Sequence, residues 1–131
     1  FADEKNVNVN FLGKIDHEEL ENLYKEYCIY VSSSNYEGNP KTVLEALSFG
    51  CVTILSNIPN HKELVDHSKT GFIFDKKEGS LRQMFESILN NEYDLSSISK
   101  EGFSYVQNNN SLQRSVDVEM KDYNYLLQKS R

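Results

Sequence analysis

Residues Ser32–Asn57, SSSNYEGNPKTVLEALSFGCVTILSN, leave this chain little choice of fold. Just before and into this stretch, Ile29, Tyr30 and Val31 are consecutive β-formers and predict a strand. Ser33–Asn39 is polar and predicts a loop. Pro40 suits a first helical turn, where its missing N–H is not needed. Val43, Leu44, Ala46 and Leu47 fall on one helical face. Gly50 stands where a left-handed cap would end that helix. Cys51–Leu55 is apolar and β-branched, as a strand buried on both faces is. Strand, loop, helix and strand make a βαβ unit. In such units a ligand sits over the carboxyl end of the strand, at the helix N-terminus.

The remaining pattern extends the same plan. Val7, Val9 and Phe11 alternate with asparagines and predict a strand over residues 7–12, closed by Gly13. Asp16 is a good N-cap, with Glu19 three residues on as in a capping box. The helix it opens is predicted to run to about Cys28, with Leu20, Leu23, Tyr24, Tyr27 and Cys28 as its apolar stripe. His61–Val65 predicts one helical turn, Asp66–Gly71 a turn and Phe72–Phe74 a short strand. Helices are predicted over Ser80–Asn90 and Leu95–Val106. Ser111 is placed to cap a last helix in which Val116, Met120, Tyr123 and Leu127 share a face. Strands alternating with helices predict an α/β domain, a parallel sheet flanked by helices. About four strands are found where a complete Rossmann-like sheet has about six, so the expected fold is a truncated Rossmann-like domain.

Composition narrows the function. The 131 residues make one domain, with 38% hydrophobic and 26% charged residues. A domain of this size buries roughly two-thirds of its unfolded surface. The net charge of −6 and the lack of a basic stripe exclude nucleic acid as an expected partner. No apolar run approaches the roughly 20 residues of a membrane span. No stretch reads as a signal peptide, and the start at Phe1 rather than Met predicts a segment of a longer chain. Cys28 and Cys51 are expected to be buried free thiols, consistent with a cytoplasmic setting. His61 and His67 are expected as surface loop residues, and His17 as an inert residue in a helix first turn. No residues stand at metal-ligand spacing, so no metal is expected.

Two carboxylates frame the central helix: Glu37 in the loop before it, and Glu45 in its second turn. At 100° per residue Glu45 points away from the apolar face, on the side of Lys41. By itself this reads as a solvated Glu paired with a Lys one turn back rather than as a ligand-binding carboxylate. The wider string, Ser-x3-Glu-Gly-x-Pro-x4-Glu-Ala-x3-Gly followed by an apolar strand, resembles the donor-binding segment of retaining GT-B glycosyltransferases. It is most similar to family 4, and especially to bacterial members that build O-antigen and capsule sugars. Asn10-Phe11-Leu12-Gly13-Lys14 resembles that family's strand ending in Phe-Leu-Gly. Asn60–Val65 with Lys69–Phe74 resembles the segment after its donor site.

The resemblance implies that residues 1–131 are part of the C-terminal, nucleotide-sugar-binding domain of a GT-B fold. The acceptor domain and the start of this domain would then lie before Phe1. It implies Glu45 as the carboxylate accepting from the ribose hydroxyls, and Glu37 as the catalytic-site residue that positions the donor sugar. Gly38, Asn39 and Lys41 would offer backbone N–H groups to the diphosphate, with Thr42 as a further donor. The Gly13-Lys14-Ile15 turn would hold the base. The implied donor is UDP-linked, a hexose or N-acetylhexosamine, with GDP-mannose left open. No cofactor is implied, the nucleotide sugar being a substrate. The implied acceptor is a glycan or a polyprenyl-diphosphate-linked sugar, reached at the inner face of the membrane. Many relatives carry Gly-Phe-Gly where this chain has Gly38-Asn39-Pro40, and Pro40 removes one N–H from the diphosphate site. Two other readings stay open. One is a non-catalytic nucleotide-binding or interaction module. The other is a further GT-B enzyme, such as a nucleotide-sugar epimerase or a phosphorylase. Without strands beside residues 29–33, the open edge is expected to pair with residues 7–12 or with another copy of the chain.

Overall fold

The structure, a computed structural model, describes residues 8–109. The helix expected after Ser111 lies outside the described residues. Three parallel strands form the sheet: β1 (Ile29–Ser32), β2 (Val52–Ser56) and β3 (Phe72–Phe74), in the order β1-β2-β3. Ile29 pairs with Val52, and Ile54 with Phe72. Among the described residues five helices surround the sheet: α1 (His17–Glu26), α2 (Lys41–Ser48), α3 (Pro59–Leu64), α4 (Ser80–Leu89) and α5 (Leu95–Asn109).

β2 is buried at every position, because it is the central strand and is covered on both faces. On one face Val52, Ile54, Phe72 and Phe74 pack against Ile88 of α4 and Ile98 of α5. On the other Leu55 packs with Val43 and Leu47 of α2, Val65 and Val106. The helix boundaries follow local chemistry. Asp16 caps α1 by accepting from the Glu19 N–H at 2.8 Å. Gly50, at φ 79°, takes the left-handed position after α2.

Three expectations are corrected. Residues 8–12 form no strand and do not pair with β1. Asn8 and Asn10 alternate with the apolar residues there, and a position beside β1 would bury their amides on a face that offers no partners. The segment stands off instead, with Phe11 92% exposed and a cavity of about 820 Å³ between it, α1 and the free edge of β1. Cys28 is exposed, because α1 ends at Glu26 and Cys28 falls in the link to β1, past the helical stripe; only Cys51 is buried. His61 is fully buried rather than on the surface. It shares a face with Ile58 and Val65, three residues before it and four after.

Candidate functional site

All three strands run the same way, so Ser32, Ser56 and Phe74 end on one edge of the sheet. The loop from Ser33 to Pro40 crosses that edge between β1 and α2. Hydrogen bonds from later elements seize its carbonyl groups. Ser56 Oγ donates to Ser34 O at 2.6 Å, Asn60 Nδ2 to Gly38 O at 3.1 Å, and Lys76 Nζ to Asn35 O at 3.3 Å. Within the loop, Ser34 Oγ donates to the Glu37 carboxylate at 2.5 Å. Glu37 is half-buried, and the space over Gly38 is open.

The α2 N-terminus lacks the usual protections. Its N-cap position is Pro40, one residue earlier than a first-turn proline, and this residue supplies no side-chain cap. No acidic residue occupies the first turn. The Lys41 N–H turns back onto Asn39 O at 2.8 Å. Among the described residues, the N–H groups of Gly38, Asn39 and Thr42 have no backbone acceptor. An eight-residue helix whose first turn carries no negative charge presents a positive dipole end at the carboxyl edge of a parallel sheet.

Glu45 lies on the other flank of α2 and is half-buried. Among the described residues no ion pair joins it to Lys41. Its Oε2 instead accepts from the Tyr24 hydroxyl at 3.5 Å, and that hydroxyl also stands 3.3 Å from Thr42 O. Tyr30 OH donates to Thr42 Oγ1 at 2.9 Å, and the two tyrosine rings meet edge to face at 6.1 Å. Burial pushes the Tyr24 phenol well above its ordinary value, with Tyr30 and the Glu45 carboxylate adding to the effect. Tyr24 therefore stays a neutral donor, fixed beside Glu45. Burial likewise raises the Cys51 thiol, with Cys28 adding to it.

The sequence-predicted residues thus divide into separate groups. Glu37, Gly38 and Asn39 share the loop, while Thr42 and Glu45 share the two tyrosines of α1 and β1. Gly13, at φ 67°, Lys14 and Ile15 precede α1 and make no hydrogen bond to either group among the described residues. The sequence reading missed Tyr24, Tyr30, Ser56, Asn60, His61 and Lys76 as site residues. The 3.6-residue spacing of His61 with Ile58 and Val65 was a usable signal for its burial; nothing local marks the others. Among the described residues no group of His, Cys, Asp and Glu converges as a metal set. No helix there is long and apolar enough to cross a membrane.

Comparison with known proteins bears on this geometry. Residues 2–104 match the family model described as "Glycosyl transferases group 1". A stretch of 74 residues, 56% of the chain, is 27% identical to the GtfA subunit of a UDP-N-acetylglucosamine–peptide N-acetylglucosaminyltransferase from Streptococcus agalactiae, and spans 15% of that protein. A stretch of 70 residues, 53% of the chain, is 33% identical to an uncharacterized glycosyltransferase of Haemophilus influenzae, of which it spans 19%. In structure, 99% of the chain superposes on 33% of a sucrose-phosphate synthase from Thermosynechococcus elongatus, with a TM-score of 0.80 at 24% identity. An Anabaena protein, HepE, in complex with UDP and glucose gives a TM-score of 0.78 at 15% identity, over 97% of this chain and 34% of that one. The α/β fold with its parallel three-stranded sheet matches the C-terminal domains of GT-B glycosyltransferases.

Proposed function

The chain belongs to the glycosyl transferases group 1 family, and on that premise we propose that it is the donor-binding part of a retaining, family 4 glycosyltransferase. The observation that carries the proposal is the uncapped, acid-free N-terminus of α2 at the carboxyl edge of the sheet, flanked by Glu37 and Glu45. A nucleoside diphosphate sugar fits this arrangement part by part. The diphosphate lies against the helix dipole and the N–H groups of Gly38, Asn39 and Thr42, with the Lys41 ammonium adding charge. Glu45 offers two oxygens to the vicinal hydroxyls of the ribose, and a carboxylate is the best acceptor for a diol. The Gly13-Lys14-Ile15 turn meets the base. Glu37 accepts from the sugar hydroxyls and orients the anomeric carbon; it is not the nucleophile.

In transfer, charge builds on the diphosphate as the glycosidic bond breaks. Fixed N–H dipoles and the Lys41 ammonium favour that charge without reorganising. We assign the donor as a UDP-linked hexose or N-acetylhexosamine. Support comes from the UDP and glucose bound by the Anabaena protein and from the UDP-N-acetylglucosamine in the name of the streptococcal relative. We assign the acceptor as a glycan or polyprenyl-diphosphate-linked sugar of bacterial surface polysaccharide, reached at the inner face of the membrane.

Calorimetric titration with UDP and with 2′-deoxy-UDP tests the reading. Losing a charge-assisted hydrogen-bonding partner costs about 1.5–3 kcal/mol, so Glu45→Ala is expected to weaken UDP binding on the order of 10–150-fold. The deoxy nucleotide is expected to bind wild type weakly and to bind the variant no worse than UDP does. Tyr24→Phe, which keeps the carboxylate, is expected to retain most of the affinity. Equal binding of both nucleotides by wild type and Glu45→Ala would refute it.

A further inference from the structure

The Glu37 loop is held from outside itself, by residues that come after it in the chain. Ser34 is the pivot. Its carbonyl accepts from Ser56 Oγ at 2.6 Å, while its own hydroxyl donates to Glu37. Ser56 is in turn held by His61, whose Nδ1 lies 2.9 Å from Ser56 O and 3.4 Å from Ser56 Oγ. A carbonyl oxygen can only accept, so the shorter contact places the proton on Nδ1. The other ring nitrogen is Nε2. That nitrogen is buried and, among the described residues, has no partner. A polar atom stranded in this way is a standing cost that an apolar side chain of similar size would avoid. What the imidazole supplies in return is its grip on Ser56. One residue before it, Asn60 Nδ2 takes the carbonyl of Gly38 on the far side of Glu37.

We propose that Ser56, Asn60 and His61 are positioning residues that hold the loop on both sides of Glu37 and so set that carboxylate for the donor sugar. The proposal rests on the transferase reading and goes beyond it in dividing the site. Glu45 rides on α2, whose backbone is fixed by its own helix and by the core, whereas the loop that carries Glu37 depends on side chains from later in the chain. The series cannot act as a proton relay, because the donors from His61 and Ser56 both end on backbone carbonyls. Its contribution is geometric.

Two measurements on Ser56→Ala, Asn60→Ala, His61→Leu and His61→Asn test this. The first is amide hydrogen exchange, which needs no ligand. Residues 34–39 are expected to exchange at least 10-fold faster in the Ser56→Ala and Asn60→Ala proteins, with β2 and α2 protection unchanged. His61→Asn, whose amide N–H falls near the Nδ1 position, is expected to restore the loop that His61→Leu loosens. Asn60→Ala keeps the test open if the buried variants fold poorly, because Asn60 touches the loop and lies outside the core clusters. The second is titration with UDP, UDP-glucose and UDP-N-acetylglucosamine. Affinity for UDP is expected to fall, because Gly38 and Asn39 ride on the same loop, and the preference for a nucleotide sugar over UDP is expected to fall in addition. Loop exchange that does not change in Ser56→Ala and Asn60→Ala would overturn the proposal whether or not UDP binds. A preference for the nucleotide sugar over UDP that does not change in Asn60→Ala would overturn it too, because the loop would then not be setting Glu37 for the sugar. Failure of wild type to bind UDP would refute the transferase reading alone, the exchange result still deciding the grip on the loop.

Discussion

Gly102 sits inside α5 where that helix crosses α2 and the turn before β3. A Cβ there would stand 2.7 Å from Thr70 O and 2.9 Å from Leu47 Cδ2. Two effects of Gly102→Ala oppose each other. In an exposed helix interior, alanine is better than glycine by about 0.8–1 kcal/mol. Here ordinary contact begins at 3.4 Å, so Thr70 O would have to recede by about 0.7 Å. That oxygen belongs to a tightly tied turn, in which Thr70 N donates to Asp66 O at 2.9 Å and Asp66 N to Thr70 Oγ1 at 2.8 Å. Leu47 is 1% exposed and has no space to retreat into. Overpacking of this kind costs about 1–3 kcal/mol, which exceeds the propensity gain. The expected net effect is a loss of about 1 kcal/mol. Urea unfolding followed by circular dichroism should show a lower midpoint at an unchanged m-value. A midpoint equal to or above wild type would refute the reasoning, by showing that α5 can shift off the Thr70 turn at little cost.

At Gly71 a Cβ would lie 2.5 Å from Thr53 Oγ1 and 2.8 Å from Val65 Cγ1. Gly71→Ala is therefore expected to cost about 2 kcal/mol or more, and an unchanged melting temperature would exclude that crowding. The raised Tyr24 phenol gives an alkaline prediction. Below its ordinary value of 10.0 both folded and unfolded chains keep the proton and its contribution is complete; as pH rises past 10 the unfolded chain ionises first, so stability falls. Cys51 adds a similar loss beginning near its ordinary 9.0. Tyr24→Phe should make the decline above pH 10 shallower in denaturant titrations, and an identical slope would show that the phenol does not carry it.

Local pattern was enough for the βαβ unit. β1, α2 and β2 follow from β-formers, one apolar helical face and a glycine at the left-handed position, all properties of neighbouring residues. The reading failed where the outcome depended on what an element meets. Residues 7–12 alternate as a half-buried strand does, yet periodicity does not state whether a neighbour exists to take the asparagines. Cys28 continues the apolar stripe of α1 in sequence, but the helix stops at Glu26, two residues short of it. Residue type alone puts His61 on the surface, whereas its register with Ile58 and Val65 puts it inside.

The same distinction separates the two carboxylates. Glu45 could be found because its position on α2 follows from the helix itself, but its partner could not. Helical spacing offered Lys41, one turn back, whereas the fold supplies Tyr24 from a helix 21 residues earlier. An exposed Glu–Lys pair is worth a few tenths of a kcal/mol and leaves both side chains free to wander. A neutral phenol fixed in the core points the carboxylate instead. Glu37 is further from local control. Besides Ser34, its loop is set by residues 22 and 41 positions further on. A substitution at Ser56 or Asn60 therefore acts on the loop without touching α2. The geometry offered to the sugar can change in this way while the helix that carries Glu45 stays as it is.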